Sequence, residues 1–506
     1  MTARRRALWL FASLLAPLAL VGCNAGPDFA PPDPQLPAQS FGAGQGPAVA
    51  GTNVPGSPDP NWWRGFRDPI LTELERRAAQ ANLDVRTATI RLAESRFQRG
   101  VAAAAQLPSI NANGQYQREL YSANGIASLL NKLVPVASVQ QGGVTIPPIS
   151  DYTVGFDASW ELDLWGHVRR QVESADAQAD QSAELQRDAL VSTQAELARD
   201  YIQLRGVQTQ IRIANENLRI SQDIQHLAEE RQRKGVRTAF DTENATAQAE
   251  SVRAQLPGLM TQETQYINAI GFLLDQPPGA LRQEIGAPKA TPLAPPNVPL
   301  GMPSELARRR PDIRAAEAQL HAATAQIGVA VAAFYPTVKL NGTVGLDALD
   351  LKNLWKGSSL QYNAGPSVTL PIFDAGRLKG TLEFRKAQEQ EAAIGYHKTV
   401  LKAWHEVVDA LVAYRQEQQR RARLKSQLAH SRQALLIARA RYKDGVGDYL
   451  ATLDAERTLL TAAQQYETST ENVSLDLVQL YKALGGGWEE TFPDLPPVAE
   501  ADAAPL

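Results

Sequence analysis

Residues 152–164 have the sequence YTVGFDASWELDL, in which apolar and polar side chains alternate without a break. A period of two residues is typical of a β-strand whose two faces meet different surroundings. The apolar face holds Tyr152, Val154, Phe156, Ala158, Trp160, Leu162 and Leu164, and the polar face holds Thr153, Gly155, Asp157, Ser159, Glu161 and Asp163. The length and alternation of this segment are typical of a strand that crosses a membrane.

Three further segments, 109–117, 338–347 and 361–372, show the same alternation. We expect the polar faces to line a water-filled lumen, at Asp157, Glu161, Asp163, Lys339, Asn341 and Asn363. We expect the apolar faces to contact lipid, at Tyr152, Val154, Phe156, Trp160, Val368 and Leu370. The face of a soluble sheet sandwich is the alternative structure with this pattern. Acidic side chains around a lumen would favour cations, or would only hydrate a wide polar wall.

Four strands are too few to span a membrane alone. An open sheet edge in hydrocarbon leaves backbone N–H and C=O groups without partners, and the smallest single-chain bacterial barrels have about eight strands. We therefore predict that several copies of the chain combine their strands into one barrel.

Two very long helices are predicted at 167–234 and 381–444, which contain no proline and one glycine each, Gly206 and Gly395. Shorter helices are predicted at 70–106, 238–275, 311–333 and 448–484. Helices of such length must pack against each other lengthwise, as in coiled coils. The predicted fold is mainly α-helical with a small transmembrane β part, in which the strand barrel continues into a long tube of helices.

An internal repeat organises the chain. Lys234-Gly235-Val236 matches Asp444-Gly445-Val446 at an offset of 210 residues, and Arg231 matches Arg441 at the same offset. Each copy contains a helix, two strands, a long helix and another helix. We place the first copy at 61–285 and the second at 286–484, and we interpret the flanking proline- and glycine-rich segments as a tether at 23–60 and a flexible tail at 485–506.

The N-terminus indicates export from the cytoplasm. Three arginines precede an apolar stretch that is too short to span a bilayer, which predicts a signal peptide at 1–22. Cys23, the only cysteine, follows Leu-Val-Gly, and this string resembles a bacterial lipobox. The resemblance implies cleavage before Cys23, acylation of that residue and, because Asn24 follows, transfer to the outer membrane. A stray cysteine in an ordinary signal peptide is the alternative.

Composition excludes several other classes of protein. The net charge of −3 gives no general affinity for nucleic acid, and the sequence lacks the runs of about 20 apolar residues that a bundle of membrane-spanning helices needs. The six histidines are scattered, and neither an H-E-x-x-H string nor a phosphate-binding G-x-x-x-x-G-K-[ST] loop occurs. We therefore expect no enzyme activity, no catalytic residue, no metal site and no cofactor.

Several strings occur in the order typical of one family: CNAGPDFAPP, WWRGFRDP, SWELDLWG, RRRPDIRAAEAQL, FYPTV, LPIFDAGR and YKDGVGDYLATLDAER. In these strings, over about Cys23 to Leu484, the chain resembles the TolC-like outer-membrane factors (outer membrane efflux proteins), in the lipoprotein branch of the resistance-nodulation-division systems. The resemblance implies a lipidated, palmitate-bearing homotrimer with a 12-stranded outer-membrane barrel and a periplasmic helical tunnel. It also implies a periplasmic adaptor and a proton-driven inner-membrane transporter as partners, and passive export of drugs or other toxic compounds.

Two glycine-containing turns join the helices of each copy: Gly235-Val236-Arg237-Thr238 and Gly445-Val446-Gly447-Asp448. Glycine permits such a tight reversal, and Thr238 and Asp448 are good N-cap residues for the helices that follow. The family resemblance places these turns at the periplasmic tip, where they would contact the adaptor and close a gate. Because Gly447 separates Val446 from Asp448, either Asp444 or Asp448 could supply the gate carboxylate.

A lipid-anchored periplasmic coiled-coil scaffold without a pore is the alternative function. Unlike a channel, such a scaffold would not need the alternating strands to span a membrane. The sequence names neither the exported compound nor the cognate pump and adaptor, and its three methionines give no support to export of soft metals.

Overall fold

A computed structural model of the chain describes residues 24–34, 53–54, 59–122, 147–235, 238–295, 298–299 and 305–493. The predicted signal peptide, Cys23, Val236 and Arg237 lie outside the described residues, as do most of the tether and residues 494–506. The helices in the described parts are α1 (Pro69–Ala81), α2 (Leu83–Ala104), α3 (His167–Arg233), α4 (Ala239–Arg253), α5 (Leu256–Leu273), α6 (Arg282–Ile285), α7 (Leu306–Arg309), α8 (Pro311–Ala332), α9 (Arg377–Lys443) and α10 (Tyr449–Leu484).

The strands form two sheets. A small parallel pair joins β1 (Asn53–Val54) to β4 (Val298–Pro299). The main sheet is antiparallel, with the order β2-β3-β5-β6, and its strands are β2 (Ser109–Glu119), β3 (Ile149–Leu162), β5 (Thr337–Ala348) and β6 (Leu360–Thr369). Short 3₁₀ turns at Trp62–Phe66, Leu351–Asn353 and Gly357–Ser359 complete the elements.

The register of the main sheet aligns like residues across all four strands. Phe156 on β3 pairs with Ala112 and Val344, whereas the next residue, Asp157, pairs with Asn111 and Thr343. Side chains of directly paired residues lie on the same face of a sheet. The sheet therefore has one apolar face and one polar face.

The predicted helix at 70–106 is wrong in one respect, because the structure divides it into α1 and α2 at Asn82. The Asn82 side chain accepts hydrogen bonds from the backbone N–H groups of Asp84 (2.9 Å) and Val85 (3.1 Å). An asparagine that caps the following helix in this way ends the preceding one. The predicted helix at 238–275 is divided for a related reason, because Pro257 occupies the first turn of α5.

The two long helices have equal lengths. α3 and α9 each contain 67 residues, and their first residues are 210 positions apart, which equals the offset of the sequence repeat. α3 begins after Asp163, whose carboxylate accepts hydrogen bonds from the backbone N–H groups of Val168 (3.1 Å) and Arg169 (2.8 Å). No described helix is apolar over a stretch long enough to cross a lipid bilayer.

The chain divides into two compact units. The first contains 1–30, 95–179 and 319–392, and the second contains 31–94, 180–318 and 393–506. In the second unit, Trp62 stacks on Tyr481 at 5.3 Å within a large apolar core. Asp68 caps α1 and accepts a hydrogen bond from the buried Tyr201 hydroxyl at 2.7 Å. These contacts fix the start of α1 against α3.

Candidate functional site

The polar face of the main sheet brings together five of the six residues that we predicted to line a lumen: Asp157, Glu161, Lys339, Asn341 and Asn363. Asp163 is the exception. It lies beyond the end of β3, and its carboxylate caps α3 as described above. The predicted strand continued to Leu164, but the observed one ends at Leu162.

Hydrogen bonds connect the polar side chains across neighbouring strands. Asn111 on β2 donates to Asp157 at 3.0 Å. On the other side of β3, Ser159 donates to Asn341 at 3.0 Å, and Asn341 donates to Ser367 on β6 at 2.8 Å. The face is therefore a hydrogen-bonded polar wall.

The charge on this wall is partly compensated. The Glu161 carboxylate lies 3.7 Å from the Lys339 ammonium group and 3.3 Å from the His167 ring. Opposite charges at this distance reduce the field that either one projects outward. The arrangement therefore supports a hydrated surface more than a strongly cation-selective ring.

The apolar face carries large side chains that no part of the described chain covers. Phe156 is 59% exposed, Tyr362 is 81% exposed and Val368 is 65% exposed. Leu370, just beyond the end of β6, is also exposed. An apolar patch of this kind marks a surface that contacts another apolar phase or partner.

Aromatic residues lie near both ends of β3. Tyr152 packs beside Tyr116 with ring centroids 4.8 Å apart. Near the other end, the Trp160 indole N–H donates to the Gln106 carbonyl at 2.9 Å, and Trp165 stacks on Tyr335 at 4.9 Å. Paired rings with anchored polar atoms are typical of residues at membrane–water interfaces.

Each helix–helix turn begins at a glycine whose backbone is in the left-handed region. Gly235 and Gly445 have φ angles of 71° and 83°, values that favour glycine. Thr238 and Asp448 occupy the N-cap positions of α4 and α10, but neither side chain forms a capping hydrogen bond. The Asp448 carboxylate is therefore exposed and is not used as a helix cap. The Asp444 side chain is exposed as well.

Arg231 connects the ends of the two long helices, a role that was not predicted from the sequence. Its guanidinium lies 4.3 Å from the centre of the Tyr442 ring and donates to the backbone carbonyls of Tyr442 and Lys443, the latter at 3.1 Å. Tyr442 in turn packs edge-on against Tyr449, whose burial raises its pKa to about 12. Tyrosines flanking the Gly445 turn were the only sequence feature that could have suggested this cluster.

Comparison with known proteins identifies the family. The family model described as "Outer membrane efflux protein" matches residues 74–274 and 302–486. The chain belongs to the outer membrane efflux protein family. It is 31% identical to the toluene efflux pump outer membrane protein TtgF of Pseudomonas putida, over 95% of this chain and 97% of that protein.

Other members are similar at comparable levels. The cation efflux system protein CusC of Escherichia coli is 29% identical over 94% of this chain and 97% of that protein. The solved structure of the outer-membrane channel OprN superposes with a TM-score of 0.84 at 32% identity, covering 92% of this chain and all of that one. The names of TtgF and CusC refer to different exported substances, so family membership alone does not define a substrate.

Family membership confirms the fold class and the location that we predicted. This outer membrane efflux protein is mainly α-helical with a small transmembrane β part, and it lies in the outer membrane and extends into the periplasm. Members are trimeric channels that work with adaptor and inner-membrane pump partners.

A second feature that was not predicted from the sequence is the packing of residues 24–29 of this efflux protein against the rest of the first unit. The Ala25 N–H donates to the Trp165 carbonyl at 3.0 Å, and Phe29 stacks on His321 at 4.3 Å. The His321 ring also contacts Glu173 at 3.0 Å. The chain that follows Cys23 is therefore fixed beside the end of β3.

No group of three or more His, Cys, Asp or Glu side chains among the described residues is arranged to hold a metal ion.

Proposed function

We propose that three copies of this chain form the outer-membrane duct of a tripartite efflux pump, through which drugs or other toxic compounds leave the cell passively. The observation that carries this proposal is the separation of polar and apolar side chains on the main sheet, with large apolar side chains left uncovered by the rest of the described chain. A face bearing Phe156, Tyr362 and Val368 is stable in hydrocarbon, and a face bearing Asp157 and Asn341 is stable in water.

The sheet edges explain why a single copy is not enough. Within the described chain, β2 pairs only with β3, and β6 pairs only with β5, so both edge strands have one unpaired side. Pairing β2 of one copy with β6 of the next would satisfy these backbone groups, and three sheets of four strands give 12 strands. Closure is the way in which β-structure avoids open edges in lipid.

The wall residues then acquire separate roles. Asp157, Glu161, Lys339, Asn341 and Asn363 line the lumen, whereas Tyr152, Val154, Phe156, Trp160, Val368 and Leu370 contact lipid. Because Lys339 lies beside Glu161, we expect weak discrimination between small cations and anions at that level of the duct. Asp163 acts as a helix cap instead of a lumen residue.

The lipid anchor completes the membrane attachment. Cys23 would carry the acyl chains, including palmitate, after removal of residues 1–22. The Ala25–Trp165 hydrogen bond holds the residues after Cys23 beside the end of the main sheet. This contact would place the acyl chains on Cys23 at the membrane surface. We retain the tether (23–60), the two repeats (61–285 and 286–484) and the tail (485–506) as the proposed domains.

The two helix–helix turns would form the periplasmic tip. We propose that Gly235, Val236, Arg237 and Thr238 of one turn, and Asp444, Gly445, Val446, Gly447 and Asp448 of the other, contact the adaptor and close the duct. Exposed Val446 and the exposed carboxylates of Asp444 and Asp448 support this role. The inner-membrane partner would be proton-driven.

Matched arginine substitutions on adjacent residues of β6 and on β3 test the proposal. Val368→Arg and Phe156→Arg place a charge on the apolar face, at a cost of about 2–4 kcal/mol near the bilayer midplane. Ser367→Arg places the same charge on the polar face. We expect the first two variants to lose membrane-assembled trimers and Ser367→Arg to keep them.

Purified wild-type trimers should also conduct ions in planar bilayers when the tip is open. Mild effects of both apolar-face variants, together with electrically silent wild-type protein, would instead support the lipid-anchored scaffold without a pore.

A further inference from the structure

The second unit contains a cavity that the export duct does not explain. Its volume is about 360 Å³, and its lining includes Asn61, Trp63, Glu75, Gln194, Gly487 and Glu490. Cavities of about 300 Å³ or more can hold small organic ligands. The cavity lies among α1, α3 and the residues that follow α10.

Glu75 is the unusual residue of this lining. It is 0% exposed, and neither carboxylate oxygen has a hydrogen-bond partner in the described part of the chain. The side-chain oxygen of Gln194, which is 2% exposed, is equally without a partner there. Two residues of one cavity lining thus carry three buried acceptor oxygens that have no donor among the described residues. This arrangement is costly in free energy unless a donor reaches them.

The charged residues described around Glu75 do not pair with its carboxylate. Arg76 is held by Glu73 at 2.7 Å, and the Asn61 amide donates to Glu490. Arg64 also lines the cavity, but its side chain is exposed. Burial raises the pKa of Glu75 well above its ordinary value. The carboxyl group must therefore hold either a proton or a positively charged partner.

We propose that this cavity binds a primary ammonium group, with the Glu75 carboxylate as its counter-ion and the Gln194 oxygen as a further acceptor. The three N–H donors of an ammonium group equal in number the three unpartnered oxygens. Trp63 also belongs to the lining, and an aromatic ring near the site would favour a cation. The remaining volume accommodates a short alkyl chain.

Gly487 contributes by its lack of a side chain. A Cβ atom at this position would collide with the Gln194 side-chain oxygen. Glycine therefore leaves this oxygen in its place in the lining, where it is available to a ligand.

Calorimetric titration of the detergent-solubilised, full-length trimer with propylammonium chloride tests the proposal. We expect saturable binding that sodium chloride and tetramethylammonium chloride at equal ionic strength do not reproduce. Because an ammonium ion displaces the proton of Glu75, binding should release protons and should become tighter as pH rises. Heat that does not saturate, or that sodium chloride matches, overturns the proposal whatever the variants show.

Two isosteric variants localise the effect. Glu75→Gln removes the charge and should weaken propylammonium binding at least tenfold. Glu94→Gln changes an exposed carboxylate on α2, outside the cavity lining, and it should alter the affinity less than twofold. Equal affinities of Glu75→Gln and wild type would overturn the proposal and would leave the channel function untouched.

Discussion

The Arg170 guanidinium donates a hydrogen bond to the Asp28 carboxylate over 2.6 Å, joining the segment that follows Cys23 to the first turn of α3. The same guanidinium donates to Glu173 at 2.7 Å and to the Ala25 carbonyl at 3.2 Å. Arg170 is 2% exposed, whereas the Asp28 side chain is almost fully exposed. The arginine is thus the buried centre of the contact, and Asp28 lies at its edge.

This asymmetry predicts unequal effects of substitution at the two ends of the ion pair. Arg170→Met should destabilise the docked segment by about 2–4 kcal/mol, because it removes the donors to Glu173 and Ala25 as well as to Asp28. Asp28→Asn should cost less than about 1 kcal/mol, because exposed pairs contribute little. Limited proteolysis within residues 24–34 of the solubilised protein measures the difference. Equal protection of both variants would show that Arg170 does not hold this segment.

The sheet could be predicted from the sequence because the period of two residues is a local property that directly determines which face each side chain occupies. The break at Asn82 could not be predicted. Its cause is one side chain that caps α2 and also donates to the distant Leu273 carbonyl at 3.0 Å. The contacts of Arg231 and of Arg170 likewise join residues that are far apart in sequence, and no periodicity records such contacts.

Arg231 provides a prediction about the periplasmic turns. Arg231→Met removes the hydrogen bond to Lys443 and the contact with the Tyr442 ring, which together join α3 to α9. If these turns close the duct, the variant should increase the open-channel conductance or open probability in planar bilayers several-fold. Arg233→Met, an exposed change two residues away, is the control and should behave as wild type. Unchanged gating in Arg231→Met would mean that this contact does not restrain the closed state.

The buried carboxyl group of Glu471 should make the stability of the protein depend on pH. Burial, with a smaller effect of the neighbouring Glu467, raises the pKa of Glu471 to about 7 from an ordinary value of 4.5. The folded protein therefore binds this proton more tightly than the unfolded chain does, so stability falls as pH rises from 4.5 to 7. The loss is at most about 3 kcal/mol.

Glu471→Gln should remove that loss. The variant should unfold at higher denaturant concentration than wild type at pH 8, and the two should converge below pH 4.5. Glu391→Gln, at an exposed position on α9, should show no such pH-dependent gain. Parallel stability profiles for wild type and Glu471→Gln across this range would contradict the assignment.

Gly206 on α3 and Gly395 on α9 should respond oppositely to substitution by alanine. Gly395 on α9 has nothing within 4 Å of the position that a Cβ would occupy, so Gly395→Ala should stabilise the protein by up to about 1 kcal/mol through helix propensity. At the buried Gly206 on α3, the same methyl group would collide with the Glu471 carboxylate. Overpacking of this kind costs about 1–3 kcal/mol and exceeds the gain in propensity.

Shortening the Glu471 side chain tests whether Gly206→Ala is destabilising because of this collision or because the helix position does not accept alanine for another reason. Glu471→Ala removes the carboxylate that Gly206→Ala would meet, so the double variant should be more stable than the sum of the two single effects predicts. A coupling energy of at least about 0.5 kcal/mol in equilibrium unfolding would establish the contact, because residues that do not touch show additive effects. Strict additivity would mean that Gly206 is required for a reason other than the room it leaves for Glu471.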